Sequence, residues 1–327
     1  MTLLRLSTLA LSRSRFALSP LAETLGSMMV LGRPCTDPWL ASWHGRHHDA
    51  FRAALAADPF AEGLVRLVSS TKWLPSHVVN PPQGGMRTTL EDELAQVTRA
   101  TDEEVRAELA ESVAHSWEQH DLSWLTGRGW AARTADLLAS TWKAHVAPDW
   151  PRRRALLERD VTYRAGLLAA YGWPRALQHM TRRSAWVGDD AIRFSDQTFP
   201  DRVIGDEGML FVPVSVLSSG TWLCEAPPTS YALVYPARGS AGGTAGTRPA
   251  RSLERLIGAG RAAILHELEH PATTSELTAQ LGLSLGTVGG HLAILRDADL
   301  VVGTRVGRRM VYRRTETGRL LAAREEG

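Results

Sequence analysis

Five arginines, Arg305, Arg308, Arg309, Arg313 and Arg314, fall within ten residues near the end of the 327-residue sequence, and no acid lies between Leu300 and Thr315. Guanidinium groups donate paired hydrogen bonds to phosphate oxygens, so a cluster of this density suits a nucleic-acid backbone or a narrow minor groove. Net charge over the whole chain is only +2, which makes local clustering the informative quantity. Just upstream lie Ser284, Gly286, Thr287, Gly289, Gly290, His291, Ala293 and Arg296, on a stretch with helical period. At 100° per residue Val288, Leu292 and Leu295 share one narrow sector. Gly286, Gly290, Ala293 and Asp297 stand opposite, with Gly289 to one side and Thr287 and Ile294 to the other. A helix face of that kind reads base edges through its side chains when it enters a major groove. This face is nearly bare.

The elements that must hold these residues follow from the pattern. Ser252 to Glu269 is amphipathic and Pro271 stops it. Thr273-Thr-Ser-Glu276 is a capping box opening a short helix to about Leu281. Gly282 supplies a turn and Ser284 caps a third helix, the recognition helix, over 285–298. Two β-prone runs, Leu300–Val306 and Arg309–Arg313, flank Gly307-Arg308 as a hairpin, giving an arginine-rich wing over 301–314. A last helix runs from Glu316 to Glu325. The order is that of a winged helix-turn-helix occupying 252–327.

Between Ala237 and Ser252 the chain reads ARGSAGGTAGTRPARS, a flexible linker by composition (237–251). Its glycines precede no Gly-Lys-Ser/Thr, so a phosphate-cradling loop is set aside. Residues 1–236 hold all eleven tryptophans and read as mostly helical, over 21–31, 49–57, 60–70, 90–98, 102–120, 129–146 and 150–171. Short β-prone runs follow at 192–235, so the fold class is mainly α with small β elements, an α+β domain before the winged helix. Trp117, Trp124, Trp130, Trp142, Trp150, Trp173 and Trp186 are expected chiefly in the core, with a ligand pocket as the alternative.

Other candidate chemistry is weak. His44, His47 and His48 lack a completing ligand pattern and read as a solvated loop, so no metal site is expected. His115 and His120 are five apart and share no helix face. The acids Glu91, Asp92, Glu93, Asp102, Glu103 and Glu104 read as solvated residues at helix starts, not as a catalytic pair. Cys35 and Cys224 are too few for a disulfide framework and are expected as free thiols. Met1–Pro20 lacks the form of a signal peptide and no run is long enough to span a membrane, so the expectation is a cytoplasmic protein without membrane contact.

The run TTSELTAQLGLSLGTVGGHLAILRDADLV from Thr273 to Val301, with VGRRMVY from Val306 to Tyr312, resembles the ArsR-type winged-helix family. Arg15–Pro20, Pro148–Arg152 and Leu233–Gly239 resemble the domain of unassigned role that precedes such winged helices in actinobacterial regulators. The resemblance implies a homodimeric transcriptional regulator of double-stranded DNA, a repressor more than an activator, with an inverted-repeat operator. Two departures matter. Metal-sensing relatives carry thiolates in the second or third helix of the motif, and no cysteine lies there. Gly289 and Gly290 stand where base-reading side chains are usual, which shifts binding toward Thr287, His291, backbone contacts, the arginine wing and DNA shape. His291 has two readings that stay open, a phosphate contact or a local structural bond.

The first domain is expected to dimerise, to sense a small-molecule effector, or both. The rival readings are an enzyme or a protein-interaction module in which the winged helix only docks. The sequence contains no G-x-S-x-G elbow, P-loop, H-E-x-x-H or dinucleotide fingerprint, so no catalytic residue and no cofactor is assigned.

Overall fold

The computed structural model describes residues 2–33, 35, 38–177, 180, 185–188, 190–195, 200–216, 221–226, 230–238, 251–268, 271–281, 283–306 and 309–323. The chain forms two compact units, Met1–Trp150 with Asp160–Thr244, and Pro151–Arg159 with Ala245–Gly327. Most of the expected linker, 239–250, lies outside the described residues.

In the first unit two small sheets recruit strands from the start of the chain. One has the order β3-β4-β1-β5, with β1 (Thr2–Leu6), β3 (Ala185–Val187), β4 (Ala191–Ser195) and β5 (Arg202–Ile204). The other has the order β2-β6-β8-β7, with β2 (Arg15–Phe16), β6 (Met209–Val214), β7 (Trp222–Ala226) and β8 (Ser230–Pro236). β6 and β8 run parallel from Met209↔Tyr231 to Val214↔Pro236, and both are largely buried, as parallel strands are. The β region expected at 192–235 therefore extends to residues 185–187, 2–6 and 15–16.

The helices around them are α1 (Thr8–Arg13), α2 (Pro20–Leu31), α3 (Pro38–Ala56), α4 (Pro59–Ser69), α5 (Leu90–Val97), α6 (Asp102–Ala114) and α7 (Trp130–Thr141). A π turn, Trp142–Val146, continues α7; α8 (Trp150–Tyr171) and α9 (Trp173–Ala176) follow. Three expectations change here. The histidines at 44, 47 and 48 lie within α3, not in a loop. The helix expected over 102–120 ends at Ala114, where His115 caps it. Of the seven tryptophans expected chiefly in the core, Trp130 is buried, five are half-buried and Trp117 is more than half exposed.

Buried α2 shows how a core helix keeps its polar groups satisfied. Every residue from Pro20 to Met28 is buried. The Ser19 hydroxyl caps the helix by accepting from Ala22 N at 2.9 Å, and Glu93 of α5 accepts from Leu21 N at 2.7 Å. Glu23 accepts from Ser215 N at 2.8 Å. Glu93 is thus a core residue, contrary to the solvated role expected of it, and burial pushes its carboxyl up to about 8. Cys35 and Cys224 are free thiols, and no helix among the described residues is long and apolar enough to cross a membrane.

The second unit has its own core, built on Leu253, Ile264, Leu265, Leu277, Val288 and Leu292, each at most 4% exposed. Burying each such side chain contributes roughly 1.5–3 kcal/mol, which lets a small unit hold together. Its elements are α10 (Arg251–Ile257), α11 (Ala259–Glu267), β9 (Ala272–Thr273), α12 (Thr274–Leu281) and α13 (Leu285–Asp297). β10 (Val301–Val306), β11 (Arg309–Arg314) and α14 (Glu316–Ala323) follow, and the Pro151–Arg159 part of α8 also belongs to this unit. The single helix expected over 252–269 is broken at Gly258, whose φ of +85° no helix accommodates.

Candidate nucleic-acid interface

α12 opens on the reciprocal cap that its sequence announces. Thr273 N donates to Glu276 Oε2 at 2.6 Å, and Glu276 N to Thr273 Oγ1 at 3.3 Å. The same Thr273 pairs with Val311 as β9 adds a third strand beside β11, which ties the start of α12 to the hairpin. The turn residue Gly282 lies outside the described residues. Ser284 caps α13, accepting from Thr287 N at 3.1 Å, and its hydroxyl lies 2.8 Å from that of Thr287.

α13 is anchored by Val288, Leu292 and Leu295, each at most 1% exposed, in the narrow sector that the sequence indicates. Its outer side is open. Ser284, Gly286, Thr287, Gly290 and Arg296 are exposed, and Gly289 and Ala293 are half-buried. A Cβ added at Gly289 or Gly290 would meet nothing within 4 Å. Leu285 and Ile294 are 58% and 50% exposed. The Arg296 guanidinium stands 3.9 Å from Asp297, a solvent-screened pair of little energetic weight. Asp299, at φ +55°, turns the chain out of the helix into β10.

His291 lies elsewhere. It is half-buried, and its Nε2 sits 2.8 Å from where a Cβ on Gly260 of α11 would stand. The imidazole occupies space that the glycine leaves open. The sequence leaves a structural and a phosphate role open for it, and gives no sign of this packing against a glycine thirty-one positions away.

β10 and β11 pair antiparallel from Val301↔Arg314 to Val306↔Arg309. That register leaves two residues for the connection, and these, Gly307 and Arg308, lie outside the described residues, as does the side chain of Arg309. Strand alternation divides the remaining arginines. Arg305 opposite Met310 shares a face with Gly303, Tyr312 and Arg314, whereas Arg313 opposite Val302 stands on the other face. Arg305 and Arg313 are both exposed. Arg314 is turned inward: its Nε donates to Leu265 O at 2.7 Å and its Nη2 to His266 O at 2.6 Å. It therefore donates to two carbonyls in the last turn of α11 and ties β11 to that helix. Among the described residues, the clustered arginines Arg305, Arg313 and Arg314 therefore do not form one surface.

The remaining candidates gather nowhere. His47 and His145 face each other with Nδ1 atoms 3.1 Å apart, His115 stacks on Trp73, and His120 bonds Ser70. Among the described residues no group of three or more His, Cys, Asp or Glu side chains is placed to hold a metal ion.

A family model described as a helix-turn-helix domain matches residues 261–304, which run from α11 through α12 and α13 into β10. The chain thus carries a helix-turn-helix domain, a module whose work is binding DNA and regulating transcription. No curated protein and no solved structure gives a significant match to the chain.

Proposed function

We propose that the protein is a sequence-specific, DNA-binding transcriptional regulator of the ArsR-type winged-helix kind, a homodimeric repressor working in the cytoplasm. The observation that carries this reading is the helix-turn-helix match over residues 261–304, together with the open outer side of α13 in that span. α13 enters the major groove by its N-terminal half, with Ser284, Gly286, Thr287, Gly289, Gly290 and Ala293 toward the bases. The β10–β11 hairpin serves as a wing, with Arg305, Arg308, Arg309 and Arg313 reaching phosphates or the minor groove, and Arg296 adding charge from the helix. His291 supports the helix from behind, against Gly260.

Phosphate contacts of this kind give affinity and register; a helix face with so few side chains leaves much of the selectivity to DNA shape. The region 1–236 supplies dimerisation, effector sensing or both, and catalysis is not part of its work. Selection of binding sites from a random duplex pool by the full chain tests this. The expected product is an inverted repeat with half-sites about one helical turn apart. A pool with no enrichment after repeated rounds would overturn sequence-specific binding.

A further inference from the structure

We propose that Leu285 reads the C5-methyl group of a thymine, so that each half-site of the bound DNA carries a thymine facing the start of α13; this rests on the DNA-binding reading above. The first turns of α13 offer little else that reaches a base. The hydroxyls of Ser284 and Thr287 lie 2.8 Å apart, and Ser284 Oγ also accepts from Thr287 N. Gly286, Gly289 and Gly290 have no side chains, and Val288 is buried. From 284 to 290, Leu285 is thus the one exposed side chain longer than a hydroxyl-bearing stub, at 58% exposure.

A single exposed leucine is ordinary on a protein surface. Its weight here comes from position, at the end of the helix that enters the groove, inside the matched helix-turn-helix. Leucine neither donates nor accepts a hydrogen bond. In the major groove the thymine methyl is the one apolar feature, and apolar contact with it distinguishes T·A from the other pairs. The bare glycines beside Leu285 let the helix approach closely enough for that contact, since Gly286, Gly289 and Gly290 put no side chain between the backbone and the groove. The exposed arginines Arg296 and Arg313 supply the complementary charge that brings a polyanion to this surface.

The experiment uses the full chain and a duplex carrying the selected site, synthesised with uracil in place of each thymine in turn. Uracil keeps every hydrogen-bonding group and removes only the methyl. One position per half-site is expected to weaken wild-type binding, by about fourfold per lost contact. Leu285→Ala should bind thymine and uracil duplexes equally, and Leu285→Met should restore the preference. The site is exposed, so these variants retain the fold, which a melting curve checks. Sequence-specific binding with no uracil-sensitive position overturns the proposal. So does sensitivity that persists in Leu285→Ala, since the effect then comes from DNA shape. Loss of all preference over random DNA is a different signature: it overturns the sequence-specific DNA-binding reading and this proposal with it.

Discussion

The imidazole of His291 lies over Gly260, its Nε2 2.8 Å from the place a Cβ would take. The two residues are therefore complementary in size, and changing one alters what the other tolerates. Gly260→Ala should cost on the order of 1 kcal/mol in the native background, because the ring must move. In a His291→Ala background the same change should stabilise by up to about 1 kcal/mol, the usual gain of alanine over glycine in a helix. A double-mutant cycle by urea unfolding measures the coupling. Additive effects would show that the ring does not pack there.

Arg314 and Arg313 are neighbours in sequence with opposite jobs. Arg314 donates to Leu265 O and His266 O, so Arg314→Met should destabilise the second unit by roughly 1–3 kcal/mol. Arg313 is exposed, so Arg313→Ala should leave stability within about 0.5 kcal/mol and instead lower DNA affinity, reducing the salt slope by about one. Unfolding curves and binding titrations on both variants decide it. Reversed outcomes would mean the assignment of the two arginines is wrong.

Two glycines of the second unit should respond to alanine with opposite signs. Gly290 has open space where a Cβ would go, so Gly290→Ala should stabilise α13 by up to about 1 kcal/mol. The same methyl group would stand between helix and groove, so DNA affinity should fall. Gly318 of α14 lies directly on the carbonyl of Leu300, and Gly318→Ala should destabilise by at least about 1 kcal/mol. Thermal melts of both variants check the signs, and a stabilised Gly318→Ala would contradict the packing.

Much of this could be read from the sequence, and the failures have a common cause. The capping box at Thr273 and Glu276, the Ser284 cap and the inward sector of α13 are local: hydrogen bonds over three residues and a helical period. The hairpin register likewise followed from two β-prone runs and a short connection. What the sequence did not reveal depends on partners far along the chain. Thr2–Leu6 becomes a strand because Ala191–Ser195 and Arg202–Ile204 lie beside it. Glu93 sits among acids at a helix start, and only the arrival of Ser19 and Leu21 shows it to be buried. Arg314 looked like its neighbours until the end of α11 came within reach.

Glu93 gives the first unit a pH dependence with a definite sign. Burial raises its carboxyl from 4.5 to about 8 in the folded chain. The folded state holds that proton more tightly than the unfolded one. Its contribution to stability is fully present below about 4.5 and is lost as pH rises through about 8. Over that window the loss is up to about 1.4 kcal/mol per pH unit. Glu93→Gln, which cannot ionise, should flatten this part of the profile and be relatively more stable at high pH. Superimposable pH profiles for the two proteins would show that Glu93 does not titrate in this way.

If the second unit binds DNA by sequence, with charge from the hairpin, its affinity must depend on both the duplex sequence and the salt. The most direct test is a titration of the full chain against the DNA upstream of its own coding sequence, over a salt series, with random duplex as competitor. Preference for the upstream fragment is expected, with affinity that falls steeply as salt rises and a shallower slope when Arg308 and Arg309 are replaced by alanine. Equal affinity for random DNA, or a slope untouched by that replacement, would contradict binding of this kind.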